Sequence, residues 1–99
     1  MNYELTILTE NEADGAIRGL LKALGIKDYK FEYEGKKRLA YRIGGIEYAH
    51  YYFVNLLDLE HSLYEELADK LPEQHWILRY LLVKEILPSE RKYLTRKDI

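Results

Sequence analysis

Apolar residues are spaced for strands in four segments of the chain. Every second position is apolar or aromatic over residues 3–8, 29–33 and 39–43, whereas residues 48–57 and 76–84 are apolar at most positions. Alternation predicts a strand that buries one face. The dense apolar run at residues 48–57 predicts a central strand covered on both faces. Gly44-Gly45 predicts a tight turn that joins the second and third strands into a hairpin.

A two-residue turn also predicts which residues face each other across this hairpin. The expected cross-strand pairs are Arg42 with Glu47, Tyr41 with Tyr48, and Leu39 with His50. Gly35 interrupts the long second strand and predicts a bend or bulge there. Strict alternation through that point assigns the odd positions to the core, namely Tyr29, Phe31, Tyr33, Leu39, Tyr41 and Ile43.

Two other segments have the spacing of amphipathic helices. Their apolar stripes are Ala13, Ala16, Ile17, Leu20, Leu21 and Leu24 in the first, and Leu59, Leu63, Leu67 and Leu71 in the second. Thr9 and Glu12 predict a capping box before the first helix, and Gly25 predicts its end. Asp58 predicts the N-cap of the second helix, and Pro72 predicts its end.

The order strand, helix, strand, strand, helix, strand predicts an α+β fold. Two split βαβ units with right-handed crossovers give a ferredoxin-like βαββαβ domain, in which two helices cover one face of a four-stranded antiparallel sheet. We expect a single domain over residues 1–88, ending at Pro88, and a polar basic C-terminal tail over residues 89–99. This fold supports many functions and does not by itself identify one.

Charge is unevenly distributed along the 99 residues, although the net charge is only −2. Residues 29–54 carry a net charge of +2, and residues 76–99 carry +3, whereas residues 55–75 carry −5. A polyanion responds to the local field, so this segregation is compatible with nucleic-acid binding. The chain lacks cysteine, a long apolar run and a recognisable secretory signal, so we expect a protein without disulfides, a membrane span or contact with a membrane, and a reducing compartment fits this composition.

Catalytic and cofactor motifs are absent from the sequence. His50, His61 and His75 lack metal-ligand spacing, and the acidic residues of the second helix lie opposite its leucines, as a solvated face would. Gly44-Gly45 joins two strands, whereas a phosphate-binding loop leads into a helix. The sequence therefore predicts no enzyme, no cofactor and no metal site.

Four segments of the chain resemble the family of the sixth protein of the bacterial small ribosomal subunit. They are Met1-Asn2-Tyr3-Glu4, Gly35-Lys36-Lys37-Arg38-Leu39-Ala40-Tyr41, Ala49-His50-Tyr51 and Ile77-Leu78-Arg79-Tyr80-Leu81-Leu82-Val83-Lys84. The chain departs from the family at Arg42, where proline is usual, and in the two glycines of its first helix. These departures indicate a divergent member.

The resemblance implies a structural protein that binds small-subunit ribosomal RNA together with the eighteenth protein of the same subunit. It implies a cytoplasmic ribosome, an organellar one being the alternative, and we expect a monomer when the protein is isolated. The expected RNA-binding residues are Lys36, Lys37, Arg38, Arg42, Arg79 and Lys84, with Tyr51 and Phe53 as stacking platforms on the face of Arg38 and Arg42. The basic residues of the tail are expected to add contacts.

Simpler interpretations of the same residues remain open. Lysine and arginine on a strand can protect a sheet edge from aggregation, and tyrosines often pack in a core or at its rim. The alternative function is a non-ribosomal interaction module that self-associates through a tyrosine-rich sheet face.

Overall fold

A computed structural model of the protein describes residues 1–84. The elements are β1 (Tyr3–Thr9), α1 (Asp14–Ala23), β2 (Tyr29–Ile43), β3 (Ile46–Leu56), α2 (His61–Lys70), a short 3₁₀ turn (Leu71–Glu73) and β4 (Ile77–Lys84). Pro88 and the predicted tail at residues 89–99 lie outside the described residues. The predicted element order and the bounds of the long strand β2 are confirmed.

The four strands form one antiparallel sheet in the order β2-β3-β1-β4. This order, with the two crossovers through α1 and α2, confirms the ferredoxin-like βαββαβ fold. Strands β3 and β1 are central, and β2 and β4 form the two edges. We refer to the side of the sheet that packs on the helices as the helix face, and to the opposite side as the open face.

The core lies between the helix face and the two helices. Its strand residues are Tyr3, Leu5 and Ile7 of β1 and Tyr52, Val54 and Leu56 of β3, and its helix residues include Ile17, Leu21, Leu67 and Leu71. Burying one such aliphatic or aromatic side chain stabilises the fold by about 1.5–3 kcal/mol. The predicted apolar stripes thus form the core, except that Ala16 is exposed.

Both predicted N-caps are wrong. Helix α1 begins at Asp14, and Ala13 at its N-cap position makes no side-chain cap. Thr9 does not cap the helix because it belongs to β1, and its Oγ1 donates to the carbonyl oxygen of Asn11 at 2.5 Å. Asp58 stands before the second helix in a left-handed conformation with φ of 49°. Its backbone N–H donates to Asn2 Oδ1 at 2.8 Å, which ties the loop to the start of the chain.

The start of α1 is instead held by a side chain of the sheet. The hydroxyl of Tyr52, a fully buried residue of β3, accepts a hydrogen bond from the Ala13 N–H at 2.8 Å and donates one to Asp14 Oδ1 at 2.9 Å. Its ring lies against Phe31 and Tyr33, with centroids 5.7 and 5.0 Å away. Burial raises the pKa of Tyr52 above its usual value of 10, and Asp14 raises it further, so the phenol remains a donor at neutral pH.

Removing this hydroxyl should destabilise the domain without changing the shape of its core. We expect Tyr52→Phe to lower the free energy of unfolding by about 1–3 kcal/mol, because the Ala13 N–H and Asp14 lose their partner. Urea denaturation followed by circular dichroism measures the change. Tyr41→Phe is the matched control, since Tyr41 is 83% exposed. Equal stability of the two variants would contradict a role of this hydroxyl in holding α1.

Candidate nucleic-acid interface

The β2–β3 hairpin carries most of the predicted RNA-binding residues, and its register shifts within the motif. Tyr33 lies opposite Tyr52, but Gly35 lies opposite Tyr51, so β2 contains one residue more than its partner at this point. Gly35 has φ of +95°, a conformation that only glycine adopts readily. The predicted interruption at Gly35 is therefore a β-bulge.

The bulge places Lys36, Lys37 and Arg38 on the opposite faces from those that strict alternation predicts. Before the bulge, Tyr33 shares the helix face with Tyr52. After it, Lys36 lies opposite His50 and takes that side, whereas Lys37 lies opposite Ala49 and takes the open-face side. The strict alternation predicted from the sequence is wrong beyond Gly35 for this reason.

A second irregularity lies between Arg38 and Ile43. The Gly44-Gly45 turn is confirmed, since Ile43 lies opposite Ile46 and both glycines have positive φ. The next pair along the ladder is Arg38 with Tyr48. The predicted pairs Tyr41 with Tyr48 and Leu39 with His50 are consequently wrong, because Arg38 and Lys36 occupy those places. Tyr41 is 83% exposed and does not belong to the core.

Arg38 and Arg42 meet at one carboxylate near the end of the hairpin. An Nη2 atom of each lies 3.5 Å from Glu47 Oε1, and their side chains remain 72% and 70% exposed. Arg42 and Glu47 are thus in contact, although they are not partners in the ladder. Lys36 lies nearby with its Nζ 5.9 Å from the ring centroid of Tyr48. We call Lys36, Arg38 and Arg42 the hairpin cluster.

The predicted stacking residues lie on the open face, apart from the hairpin cluster. Tyr51 and Phe53 alternate with the core residues of β3, and Lys37 Nζ lies 5.3 Å from the Tyr51 ring centroid. Arg79 shares this face, because β1 residue Leu8 lies opposite both Tyr51 and Arg79. The prediction that Tyr51 and Phe53 share a face with Arg38 is wrong, because the bulge reverses that part of β2. Arg42 lies within the second irregularity and has no ladder partner within residues 1–84, so the register does not assign it to either face.

The remaining predicted residue, Lys84, lies opposite Tyr3 and therefore on the helix face. It joins neither group. Conversely, the sequence-based site omits Lys30 and Asn55, which lie opposite each other on the open face. Their positions in alternating strands are the signal that could have identified them.

The open face forms a shallow depression of about 770 Å³. Tyr51 and Phe53 line it together with Lys30, Lys37 and Asn55, and the carboxylates of Glu4 and Glu32 also border it. Phe53 is 37% exposed. The depression thus combines aromatic surface with charges of both signs.

The open face is not rich in tyrosine. Among the tyrosines that lie in regular register within residues 1–84, Tyr51 is the one on this side. The others lie on the helix face: Tyr3, Tyr29, Tyr33, Tyr48, Tyr52 and Tyr80. The alternative function required a tyrosine-rich sheet face for self-association. The open face does not fit that requirement.

Within residues 1–84 no group of three or more His, Cys, Asp or Glu side chains could hold a metal ion. Over the same range, no helix has the length and apolar character needed to cross a membrane. His50 Nδ1 lies 2.6 Å from the Tyr33 hydroxyl, and His61 Nε2 lies 2.7 Å from Glu65 Oε1. Both histidines therefore have a local partner of a kind common at protein surfaces.

Comparison with known proteins adds sequence and fold relatives. No family model matches the chain. Small ribosomal subunit protein bS6 of Rickettsia felis is 42% identical over 55 residues, which are 56% of this chain and 45% of that protein. The bS6 protein of Rickettsia prowazekii is 40% identical over the same length and coverage. The chain thus spans less than half the length of the curated relatives it matches.

A solved structure shows the same fold over nearly the whole chain. The crystal structure of 30S ribosomal protein S6 from Thermotoga maritima has a TM-score of 0.55 and covers 93% of this chain and 94% of its own. The sequence identity is 16%, so this similarity concerns the fold alone.

The bulge can be tested through its glycine. A Cβ at Gly35 would have no heavy atom within 4 Å, so Gly35→Ala introduces no clash. Its effect on stability comes from the backbone conformation that alanine has to adopt there. We expect a loss of about 1–3 kcal/mol in the free energy of unfolding, because alanine disfavours φ of +95°.

Gly19→Ala is the matched control for that variant. Gly19 lies in α1 with equally open surroundings, so its replacement should stabilise the domain by about 0.5–1 kcal/mol. Chemical denaturation of the two variants beside the wild type measures both effects. A Gly35→Ala variant as stable as the wild type would mean that β2 does not need the left-handed residue.

Proposed function

Because this chain is a divergent relative of the small ribosomal subunit protein bS6, we propose that it is a structural, non-catalytic constituent of the small ribosomal subunit. In this role it binds small-subunit ribosomal RNA and resides on the cytoplasmic ribosome. The sequence similarity to bS6 supports the ribosomal assignment. The hairpin cluster is the observation that supports RNA as the ligand.

The hairpin cluster has the properties of a phosphate-binding surface. Two guanidinium groups converge on the same carboxylate, which limits their motion while leaving most of each side chain exposed. An RNA phosphate can replace or share Glu47, because arginine binds both anions with the same fork of N–H donors. Lys36 adds a third cation on the same side of β2 as Arg38. Such contacts release counterions and make affinity fall as salt rises.

The open face offers a second and different kind of contact. Tyr51 and Phe53 are adjacent aromatic side chains on one strand, which is the arrangement on which unpaired bases stack. Lys37 and Arg79 lie on the same side and can bind the phosphates that connect those bases. The acidic rim of the depression restricts the path of the RNA backbone to the basic side chains.

The eighteenth protein of the small subunit is the proposed protein partner. The resemblance to the family of the sixth small-subunit protein supports this partner, and the bS6 relatives support only the broader ribosomal role. Lys84 remains a proposed auxiliary contact, and its place on the helix face separates it from both RNA surfaces.

Charge reversal in the hairpin cluster tests the RNA-binding proposal. We expect Arg38→Glu combined with Arg42→Glu to weaken binding to a small-subunit central-domain RNA fragment. It should also reduce the slope of log affinity against log salt by roughly 2, because two phosphate contacts are lost. Fluorescence anisotropy at several salt concentrations, with and without the eighteenth protein, measures both quantities.

The matched control applies the same change in net charge elsewhere. Lys22 and Lys27 are exposed at and beyond the end of α1. Lys27 precedes the start of β2, at the opposite end of that strand from Arg38 and Arg42, so Lys22→Glu with Lys27→Glu should leave the salt slope unchanged. Equal losses in the two double variants would indicate a response to total charge and not to this site. If the wild type bound no RNA even with the partner present, the proposed function would be wrong.

A further inference from the structure

The two edges of the sheet differ in how well they resist addition of another strand. Edge strand β2 has a bulge at Gly35 and presents Lys30, Lys36, Lys37 and Arg38 along its length. Edge strand β4 has the sequence Ile-Leu-Arg-Tyr-Leu-Leu-Val-Lys, with charges only at Arg79 and Lys84. Charged side chains and bulges are the usual protection of an edge, and β4 has little of either.

The ladder leaves β4 regular over most of its length. Its single shift of register lies at its beginning, where Leu8 faces Arg79 and Thr9 faces Ile77. From Arg79 to Lys84 each residue has one partner on β1, and the opposite side of the strand has no neighbouring strand within residues 1–84. A straight backbone edge with unpaired N–H and C=O groups is a template for an added strand.

The apolar side chains of β4 are also incompletely covered. The apolar residues on both of its faces are only half-buried: Ile77, Leu78, Tyr80, Leu81, Leu82 and Val83. Their counterparts in central strand β1 are buried on both faces, including Leu5, Ile7 and Leu8. The difference follows from position, because β1 has a strand on each side and β4 has one on a single side.

We propose that β4 pairs with β4 of a second copy of this chain, forming an antiparallel two-fold dimer with a continuous eight-stranded sheet. Residues opposite each other in an antiparallel pair point to the same face of the sheet. The two-fold axis must therefore lie between one residue of β4 and the same residue of the second copy, so that these two residues are opposite each other. An axis at Leu81 places Tyr80 opposite Leu82 and Arg79 opposite Val83. The two arginines are then not opposite each other, and leucine, tyrosine and valine side chains cover one another on both faces.

This inference is independent of the proposed function. The hairpin cluster belongs to β2, at the other edge of the sheet, so strand pairing through β4 leaves it accessible. Arg79, which is proposed to contact RNA on the open face, lies on β4 itself and would face Val83 of the second copy. It replaces the sequence-based expectation of a monomer in isolation. It also differs from association through the open face, because the contact is along the strand edge.

Sedimentation equilibrium tests the dimer and its location. An edge contact is small, so we expect a dissociation constant of about 10–100 μM for the wild type. Leu81→Lys should be monomeric at the same concentrations, because it places a charge at the proposed axis. Phe53→Lys is the matched control, with a half-exposed apolar residue on the same face of inner strand β3, and should dimerise as the wild type does.

A second measurement needs no variant and remains informative if Leu81→Lys does not fold. Amide hydrogen exchange of the wild type at low and high concentration should show added protection in β4 and none in β2. A wild type that stays monomeric at about 0.5 mM would overturn the proposal. So would a dimer that Phe53→Lys abolishes and Leu81→Lys retains, or protection that appears in β2 instead.

Discussion

The buried hydroxyl of Tyr52 connects the two layers of this domain. Tyr52 lies opposite Ile7 on one side and Tyr33 on the other, so it occupies the middle of the sheet, and its hydroxyl binds the first residues of α1. Helix α1 depends on such an attachment, because it contains two glycines and has no side-chain cap of its own. With α1 fixed, the core side of β3 is fixed, and the opposite side, with Tyr51 and Phe53, must face outward.

Periodicity predicted the parts of this structure that depend on local sequence. The strands, the Gly44-Gly45 turn, the end of α1 near Gly25 and the fold class all follow from spacing and turn residues. The start of α1 did not, because its partner Tyr52 is 38 residues away from Asp14 in sequence. Thr9 matched a capping pattern, yet its place in β1 was decided by pairing with two neighbouring strands.

The candidate site was predictable in composition but not in arrangement. The motif around Lys36, Lys37 and Arg38 identified the correct hairpin, and glycine indicated where its strand is interrupted. Sequence alone does not show that the bulge adds one residue, and that count decides which side chains share a face. The separation of Tyr51 and Phe53 from Lys36 and Arg38 is the direct result.

The β2–β3 hairpin and the segment that contains the second helix carry opposite net charges. Residues 55–75, which include α2, carry a net charge of −5, whereas residues 29–54, which form most of the hairpin, carry +2. A polyanion approaching this molecule is repelled by the second helix and attracted to the hairpin end. The field therefore orients the protein before any specific contact forms, and it does so although the net charge of the whole chain is negative.

The extra residue in the bulge at Gly35 determines which face of the sheet each following residue of the motif occupies. Adding or removing one residue before the motif moves every side chain from Lys36 to Arg38 to the opposite face of the sheet. The sequence of the motif itself does not have to change. A relative that lost Glu34 would keep the string Gly-Lys-Lys-Arg-Leu-Ala-Tyr and yet present its charges to the opposite side of the sheet. Identity across this motif is therefore insufficient evidence of a shared binding surface, unless the number of residues before it is also the same.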